Sequence, residues 1–250
     1  MIKNIYLLIL CFILYNNYII AGDTAYPIEN GQRQMGVFQP RIYGMNNNIE
    51  ISTHPLLFFV KPNIKVKKYH GEMKGFGIAS RYSFDYPTPL LKLIQRKGKF
   101  GILSKDPDIG DIPSLFVFQG ELLTTKKLDK SSITGKIGLS FCPGCEIDSR
   151  HLVDLPLAYP RMLVYEKGLS TNIGLDYYYK YSEKVSLKTD IDLFIIPDKD
   201  VFIENKFIIE YQFSPKYTLT GGFKLTQGTY PFGKQLDIFP LIDLSWSWEK

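Results

Sequence analysis

Two cysteines, Cys142 and Cys145, flank a Pro-Gly pair in the stretch FCPGCE. A Pro-Gly pair fits the centre of a type II turn, which brings its outer residues within about 7 Å, a distance that a disulfide tolerates. A redox centre would need a helix N-terminus to lower a thiol pKa, and the strand-like sequence on either side offers none. In an exported chain this spacing therefore predicts a structural disulfide.

A second group of reactive residue types follows in the stretch DSRHLVD, where Asp148, Ser149, His151 and Asp154 are those that a hydrolase uses. A serine and a histidine two positions apart on a loop form no nucleophile motif, and no orienting partner is visible. A zinc site would need at least two ligands besides the cysteines, and His151 is the one candidate. We therefore predict no enzyme activity, no metal site and no cofactor.

Charged residues that alternate with apolar ones form the third group. From Val185 to Leu193 the apolar residues and Thr189 share one face of a period-two pattern, and the charged residues share the other. The segments that begin at Val201, Tyr217 and Leu236 repeat it. Charges of both signs on neighbouring strands can pair. If the apolar face meets lipid, these side chains line a lumen: Lys188, Asp190, Asp192, Glu204, Lys206, Glu210, Lys224, Asp237 and Asp243.

The elements that carry these charges are long strands joined by minimal turns. The four segments have nine or more residues each, enough to cross the hydrocarbon layer when tilted. Their connections are SEK at 182–184 and SPK at 214–216, and GMNNN at 44–48 is similar. Asn and Gly tolerate positive φ, and Pro fixes φ for a turn. This arrangement predicts an all-β fold, a single antiparallel up-and-down transmembrane β-barrel of about ten to twelve strands.

A water-soluble β-sandwich or lipocalin-like barrel is the alternative, because its strands alternate equally well. Strands of soluble proteins are usually shorter, about five to six residues. Aromatic residues of this chain gather at strand ends, which is typical of the interfacial girdles of membrane barrels. These residues are Phe141, Tyr177, Tyr178, Tyr179, Tyr181, Tyr230, Phe232, Trp246 and Trp248. The aromatic distribution favours the membrane barrel.

Two segments, RIYGMNNNIEIST and the C-terminal PLIDLSWSW, resemble bacterial outer-membrane β-barrel proteins. In that class a Tyr-Gly pair followed by a polar turn and an alternating strand recurs, and the last strand ends in an aromatic residue. The resemblance concerns architecture over residues 30 to 248 and matches no specific characterised family. One departure is that Glu249 and Lys250 follow Trp248. The resemblance implies a location in the bacterial outer membrane and contact with its lipid.

The alternating segments and the turn residues between them predict twelve strands. Long connections follow the fourth and sixth strands but also the ninth and eleventh, whereas long loops of such barrels gather on one side, which indicates one wrong boundary. The weakest segment is STHPLLFFVKPN, where prolines interrupt the ladder. The predicted strands are Gln34 to Tyr43, Ile49 to Phe58, Ile64 to Tyr69, Gly75 to Asp85, Ser114 to Thr125, Ile133 to Phe141, Arg161 to Glu166, Asn172 to Lys180, Val185 to Ile195, Val201 to Phe213, Tyr217 to Gln227 and Leu236 to Trp248.

The first 22 residues read as an export signal. Lys3 precedes an uncharged apolar run from Ile5 to Leu14, and the small residues Ala21 and Gly22 provide a cleavage site. The run is too short to span a bilayer. An uncleaved membrane anchor is the alternative. We predict a signal peptide at 1–22 and one barrel domain at 23–250. The formal charge of +5 is too small and too evenly spread to indicate nucleic-acid binding.

The longest connection, Pro87 to Pro113, contains TPLLKLIQRKGK. Thr88 and Pro89 suit a helix start, so the stretch is either a short amphipathic helix at the membrane surface or over the barrel mouth, or an ordinary loop.

The predicted function is a small passive channel, porin-like, for small polar solutes. A closed structural or surface-binding barrel is the first alternative and a secreted soluble binding protein the second. Protein partners cannot be predicted.

Overall fold

The computed structural model describes residues 23–95, 103 and 110–249. The predicted signal peptide at 1–22 lies outside the described residues. Twelve antiparallel strands form a closed barrel, in which each strand pairs with the next and β1 pairs with β12, Arg33 opposite Trp248. The predicted fold class is confirmed. The strands are β1 Arg33–Gly36, β2 Arg41–Met45, β3 Ile49–Thr53, β4 Asn63–Met73, β5 Phe76–Asp85, β6 Val117–Lys127, β7 Ser131–Phe141, β8 Leu169–Lys180, β9 Val185–Ile195, β10 Phe202–Gln212, β11 Tyr217–Tyr230 and β12 Gly233–Trp248.

The predicted strand Gln34 to Tyr43 is wrong as a single element, because the chain turns back on itself at residues 37–40 and forms β1 and β2. Pro40 has no N–H with which to continue a ladder. The N–H of Phe38 instead donates to Oδ1 of Asp243, at 2.9 Å. Phe38 thereby folds inward and packs on Ile208 and Leu241, two buried residues of the barrel interior.

The predicted strand Arg161 to Glu166 is also wrong, because these residues belong to an α-helix, Tyr159–Lys167. Pro160 stands in its first turn, where a missing N–H costs nothing. Gly168 ends it at a φ of 72°, the left-handed conformation that glycine adopts without strain. Residues 162–165 are all buried. Met162 and Leu163 are good helix formers, and the burial of Val164 and Tyr165 on the same helix outweighs the strand preference of these two residues.

These two corrections leave twelve strands, and they account for the conflict in loop placement. The six connections that follow the odd-numbered strands lie at one end of the barrel, here called the mouth, and include the longest ones: 37–40, 54–62, the described parts of 86–116, 142–168, 196–201 and 231–232. Tight turns and both ends of the barrel sequence lie at the other end, the turn end. At the β2–β3 turn, Asn47 and Asn48 both have positive φ. Two such residues match the right-handed twist of the hairpin strands.

The described parts of the mouth connections contain three helices, α1 Pro55–Phe58, α2 Thr88–Ile94 and α3 Tyr159–Lys167, with a 3₁₀ turn at Ser149–His151. The predicted strand Ile49 to Phe58 therefore ends early, at Thr53. The side chain of His54 caps α1 by accepting the N–H of Leu57 at 3.3 Å. Among the described residues, no helix is long and apolar enough to cross a membrane.

The mouth connections build an apolar core of their own, here called the cap, from residues 86–95, 103, 110–116 and 142–168. Leu90, Leu91 and Ile94 of α2 pack in one cluster with Met162 and Leu163 of α3. The amphipathic alternative for this stretch is the one observed, since α2 turns its apolar side into the cap. Tyr230 is buried in the same cluster, so its assignment to an interfacial aromatic girdle is wrong.

Candidate functional site in the barrel lumen

The outer surface of the barrel carries a band of exposed apolar side chains. Ile191 is 43% exposed on β9, and Leu236 and Ile242 are 62% and 63% exposed on β12. Large apolar side chains are similarly exposed on β4 to β11. A soluble protein rarely exposes a contiguous apolar surface of this extent. The alternation of each strand therefore places its apolar face outward and its polar face inward, which is the pattern of a membrane barrel.

The inward faces of β9, β10 and β11 carry charged residues in ion pairs. Lys206 Nζ lies 2.6 Å from Asp190 Oδ2, and Lys224 Nζ lies 2.8 Å from Glu204 Oε2. All four side chains are buried. A charge is tolerated in the low dielectric of an interior when it is paired, so these ion pairs allow charged side chains to lie on the inner wall.

The other predicted lumen residues are distributed along the same strands and β12. Lys188 and Glu210 pair at 2.7 Å, both partly buried. Asp192 lies 2.8 Å from Lys136 of β7. Asp243 is buried and holds the β1–β2 connection through the N–H of Phe38, and Asp237 is partly buried on β12.

Charged residues on β3 to β8 were not among those predicted from the sequence. Lys136 Nζ bridges Asp192 and Asp176, the latter at 2.9 Å. Arg81 Nε contacts Glu121 at 2.5 Å, and Lys67 contacts Glu50 at 3.0 Å. The same period-two alternation marks Lys67, Arg81, Glu121, Lys136 and Asp176 in the sequence. The alternation would therefore have predicted them had it been applied to β4 through β8.

The chain before β1, residues 23–29, enters the turn end of the lumen. Arg81 Nη1 contacts Asp23 Oδ2 at 2.5 Å, and although burial opposes ionisation, this guanidinium holds the pKa of Asp23 well below its usual range. The N–H of Ala25 donates to Thr125 Oγ1 at 2.7 Å. The N–H of Ile28 donates to Glu50 at 3.1 Å. This N-terminal segment therefore occupies part of the lumen cross-section.

Helix α3 reaches into the lumen from the mouth. Its Arg161 forms two hydrogen bonds to Glu204, from Nη1 at 2.5 Å and from Nη2 at 2.6 Å. The guanidinium also lies 4.5 Å from the ring centroid of Phe194. A bidentate contact between planar groups is directional as well as strong. It ties the cap to the inner wall at β10.

Two cavities remain between these parts. The larger, the lumen cavity of about 290 Å³, is lined by the inner faces of β1 to β10 and by the N-terminal segment and Arg161, and most of its lining is polar. The smaller, the cap cavity of about 170 Å³, lies between the cap and the inner wall. Lys65, Gln119, Asn172, Arg161 and Phe194 line both cavities.

The residues considered for covalent chemistry lie in the cap. Cys142 and Cys145 are joined, with Cα atoms 5.4 Å apart. The Asp148 carboxylate accepts from the backbone and side chain of Arg150, which holds the pKa of Asp148 well below its usual range. His151 is buried, with Nε2 3.2 Å from the amide nitrogen of Gln95. The described part of the chain holds no cluster of three possible metal ligands.

Comparisons with known proteins match the barrel and no family. No family model and no curated protein matches the sequence. The KdgM porin solved with oligogalacturonate is 9% identical, with 86% of this chain and 92% of that one covered and a TM-score of 0.37. The trimer form of OmpT of Vibrio cholerae is 9% identical, with coverages of 94% and 74% and a TM-score of 0.44. OccAB2 of Acinetobacter baumannii is 9% identical, with 90% of this chain and 53% of that one covered and a TM-score of 0.40.

These neighbours belong to the class that the two sequence segments resemble, the bacterial outer-membrane β-barrels. Identities and TM-scores this low indicate neither a family nor a solute for this chain.

Proposed function

We propose that the chain is exported with a cleaved signal peptide, inserts into the bacterial outer membrane and forms a narrow passage for small polar solutes. The observation that carries this proposal is the combination of an apolar exterior with a polar cavity of about 290 Å³ that runs along the lumen. A soluble binding protein with this exterior would expose an apolar band to water, which is unfavourable and promotes association.

The passage is narrow because three parts of the chain enter the lumen. These are the N-terminal segment at the turn end, the side chain of Phe38 near β10 and β12, and α3 at the mouth. The charges in the lumen are paired across neighbouring strands, so they provide a polar wall without a large net field. Such a wall suits small solutes with a polar or singly charged group better than large or multiply charged ones.

A closed barrel without a pore is the second candidate, and one observation favours it. The lumen is obstructed at both ends, by the N-terminal segment and by the cap, and the ion pairs on β9 to β11 are buried. In this alternative the interior network stabilises the barrel, and the loops carry any binding function.

Conductance in a planar bilayer separates the two candidates. The folded chain in detergent is expected to give small, discrete current steps. Deletion of residues 23–29 is expected to increase the size of these steps, because it clears the turn end. The substitution Asp148→Asn, in an exposed part of the cap, is the control and should leave the steps unchanged. If neither the intact nor the shortened chain conducts, the closed barrel becomes the better account.

A further inference from the structure

We propose that the cap cavity binds a small organic anion, a monocarboxylate with a short apolar body, through the ammonium group of Lys65. This proposal deepens the proposed function, since it rests on a lumen that solutes enter and names their chemical class.

The first observation is the charge balance of the two cavities. Eight cationic side chains of the described residues line them, and for seven of these a carboxylate lies within ion-pair distance. Lys65 is the eighth, and it has no ion-pair or hydrogen-bond partner in the part of the chain that the structure describes. It is partly buried, at the point where the cap cavity and the lumen cavity meet. A cation in such a place gains from a mobile counter-anion.

The second observation is the lining of the cap cavity, which has two unlike sides. Leu90, Leu91 and Met162 of the cap provide an apolar side. The barrel wall opposite provides Lys65 with the neutral amides of Gln119 and Asn172, and the one carboxylate in the described lining, Asp85, is paired with Lys61 at 3.4 Å. A ligand pocket with apolar walls and a few polar groups orients a molecule that has one polar end. Here the polar end is anionic, because the unpaired group is a cation.

The third observation is size. A dry cavity of about 150 Å³ accommodates benzene, and the cap cavity measures about 170 Å³. An apolar body of about six carbon atoms therefore fits. Inorganic anions would satisfy the charge of Lys65 but leave the apolar side unused, which is why the geometry favours an amphiphilic anion.

Calorimetric titration of the folded chain in detergent with straight-chain carboxylates from butanoate to octanoate tests the proposal. Affinity is expected to rise about threefold to fourfold for each added methylene up to about six carbons and then to stop rising. Hexanol and chloride serve as probes that lack the charge or the apolar body, and both should bind at least about tenfold more weakly than hexanoate.

Two variants localise the site. Lys65→Met is expected to weaken hexanoate binding about tenfold or more, whereas Lys68→Met, which removes an exposed charge from the same strand, should have no effect. Hexanoate also partitions into the detergent, and because both variants are titrated in the same micelles, the Lys65→Met protein shows how much of the heat comes from that partition. Ala158→Leu fills part of the cavity from the cap side and should weaken hexanoate without weakening acetate.

Equal binding of hexanoate by the Lys65→Met and intact chains, or binding of hexanol or chloride as tight as that of hexanoate, would overturn the proposal. The result is independent of conductance. Hexanoate binding without current would refute the passage and leave the binding site in the cap cavity intact. Current without hexanoate binding would refute the site and leave the passage. Each variant has folded if its unheated gel band migrates anomalously and shifts on heating.

Discussion

At the scale of single residues, His54 makes the stability of the barrel depend on pH. Its Nδ1 accepts the N–H of Leu57 in the first turn of α1, and burial lowers the pKa of its imidazole below the ordinary value of 6.5. Protonation would remove the acceptor and place a charge in a buried position. Folding therefore favours the neutral form. The stability that this preference contributes is present above about pH 6.5 and is lost as the pH falls toward the lower folded pKa.

The variant His54→Asn isolates this effect, because asparagine caps a helix without titrating. Between pH 7.5 and 5 the intact barrel is expected to lose about 1 kcal/mol more stability than the variant. The measurement is the temperature at which the gel band of the folded form disappears, at each pH. If this temperature falls equally with pH in the two proteins, His54 is not the cause of the loss of stability.

Cys142 and Cys145 give a second prediction at this scale. If the cleaved chain keeps the disulfide that the structure contains, alkylation of the unreduced protein should label neither thiol, since Cys11 leaves with the signal peptide. Alkylation after reduction should label both. Mass spectrometry counts the labels, and two labels without reduction would reject the disulfide.

The outward face of β9 tests which medium surrounds the barrel. Ile191 is exposed near the middle of the strand. In a membrane, Ile191→Arg should cost about 2 to 4 kcal/mol and impair insertion. Val185→Arg, on the same face beside the turn, should cost about 0 to 1 kcal/mol. Folding yield in lipid vesicles measures both, and equal yields would contradict a lipid-facing surface.

At the scale of elements, α3 decides how the cap is held. Its single arginine reaches Glu204 with two hydrogen bonds, whereas apolar contacts hold the rest of the helix in the cap. Glu204 also contacts Lys224. It therefore keeps a charge partner when the arginine is removed, and the barrel wall should stay intact.

Arg161→Gln is accordingly expected to loosen the cap and to raise the average conductance severalfold while the folded gel band remains. Arg150→Gln removes the same charge from an exposed part of the same connection and should leave conductance unchanged. A conductance that does not change in the Arg161 variant would show that the cap does not limit passage.

At the scale of the whole molecule, the exterior predicts where the protein resides. Expressed with residues 1–22, the chain should fractionate with the outer membrane and migrate anomalously on gels when unheated, because closed membrane barrels resist detergent unfolding. N-terminal sequencing should find Asp23 first if the cleavage site is as predicted. Recovery from the soluble periplasm would contradict membrane insertion and favour the soluble alternative.

The amino-acid sequence by itself determined the barrel and the two faces of its strands. An alternating strand in a closed barrel has only two directions for its side chains, inward and outward, so a local period of two decides the face of Ile191 as well as that of Asp190. Short turns with Asn, Gly and Pro determined the antiparallel order in the same local way. No distant contact is needed for either inference.

The tertiary structure alone decided what fills the lumen. The helix at Tyr159–Lys167 is buried in the cap, and a short apolar run does not distinguish a buried helix from a strand. The single strand predicted at Gln34 to Tyr43 divides because Asp243 accepts the N–H of Phe38. Arg161 meets Glu204, and Lys65 meets no carboxylate, only because the barrel closes and its loops fold inward. Charge pairing across a lumen depends on residues far apart in the chain, and their encounter follows from the closed fold and not from any local pattern.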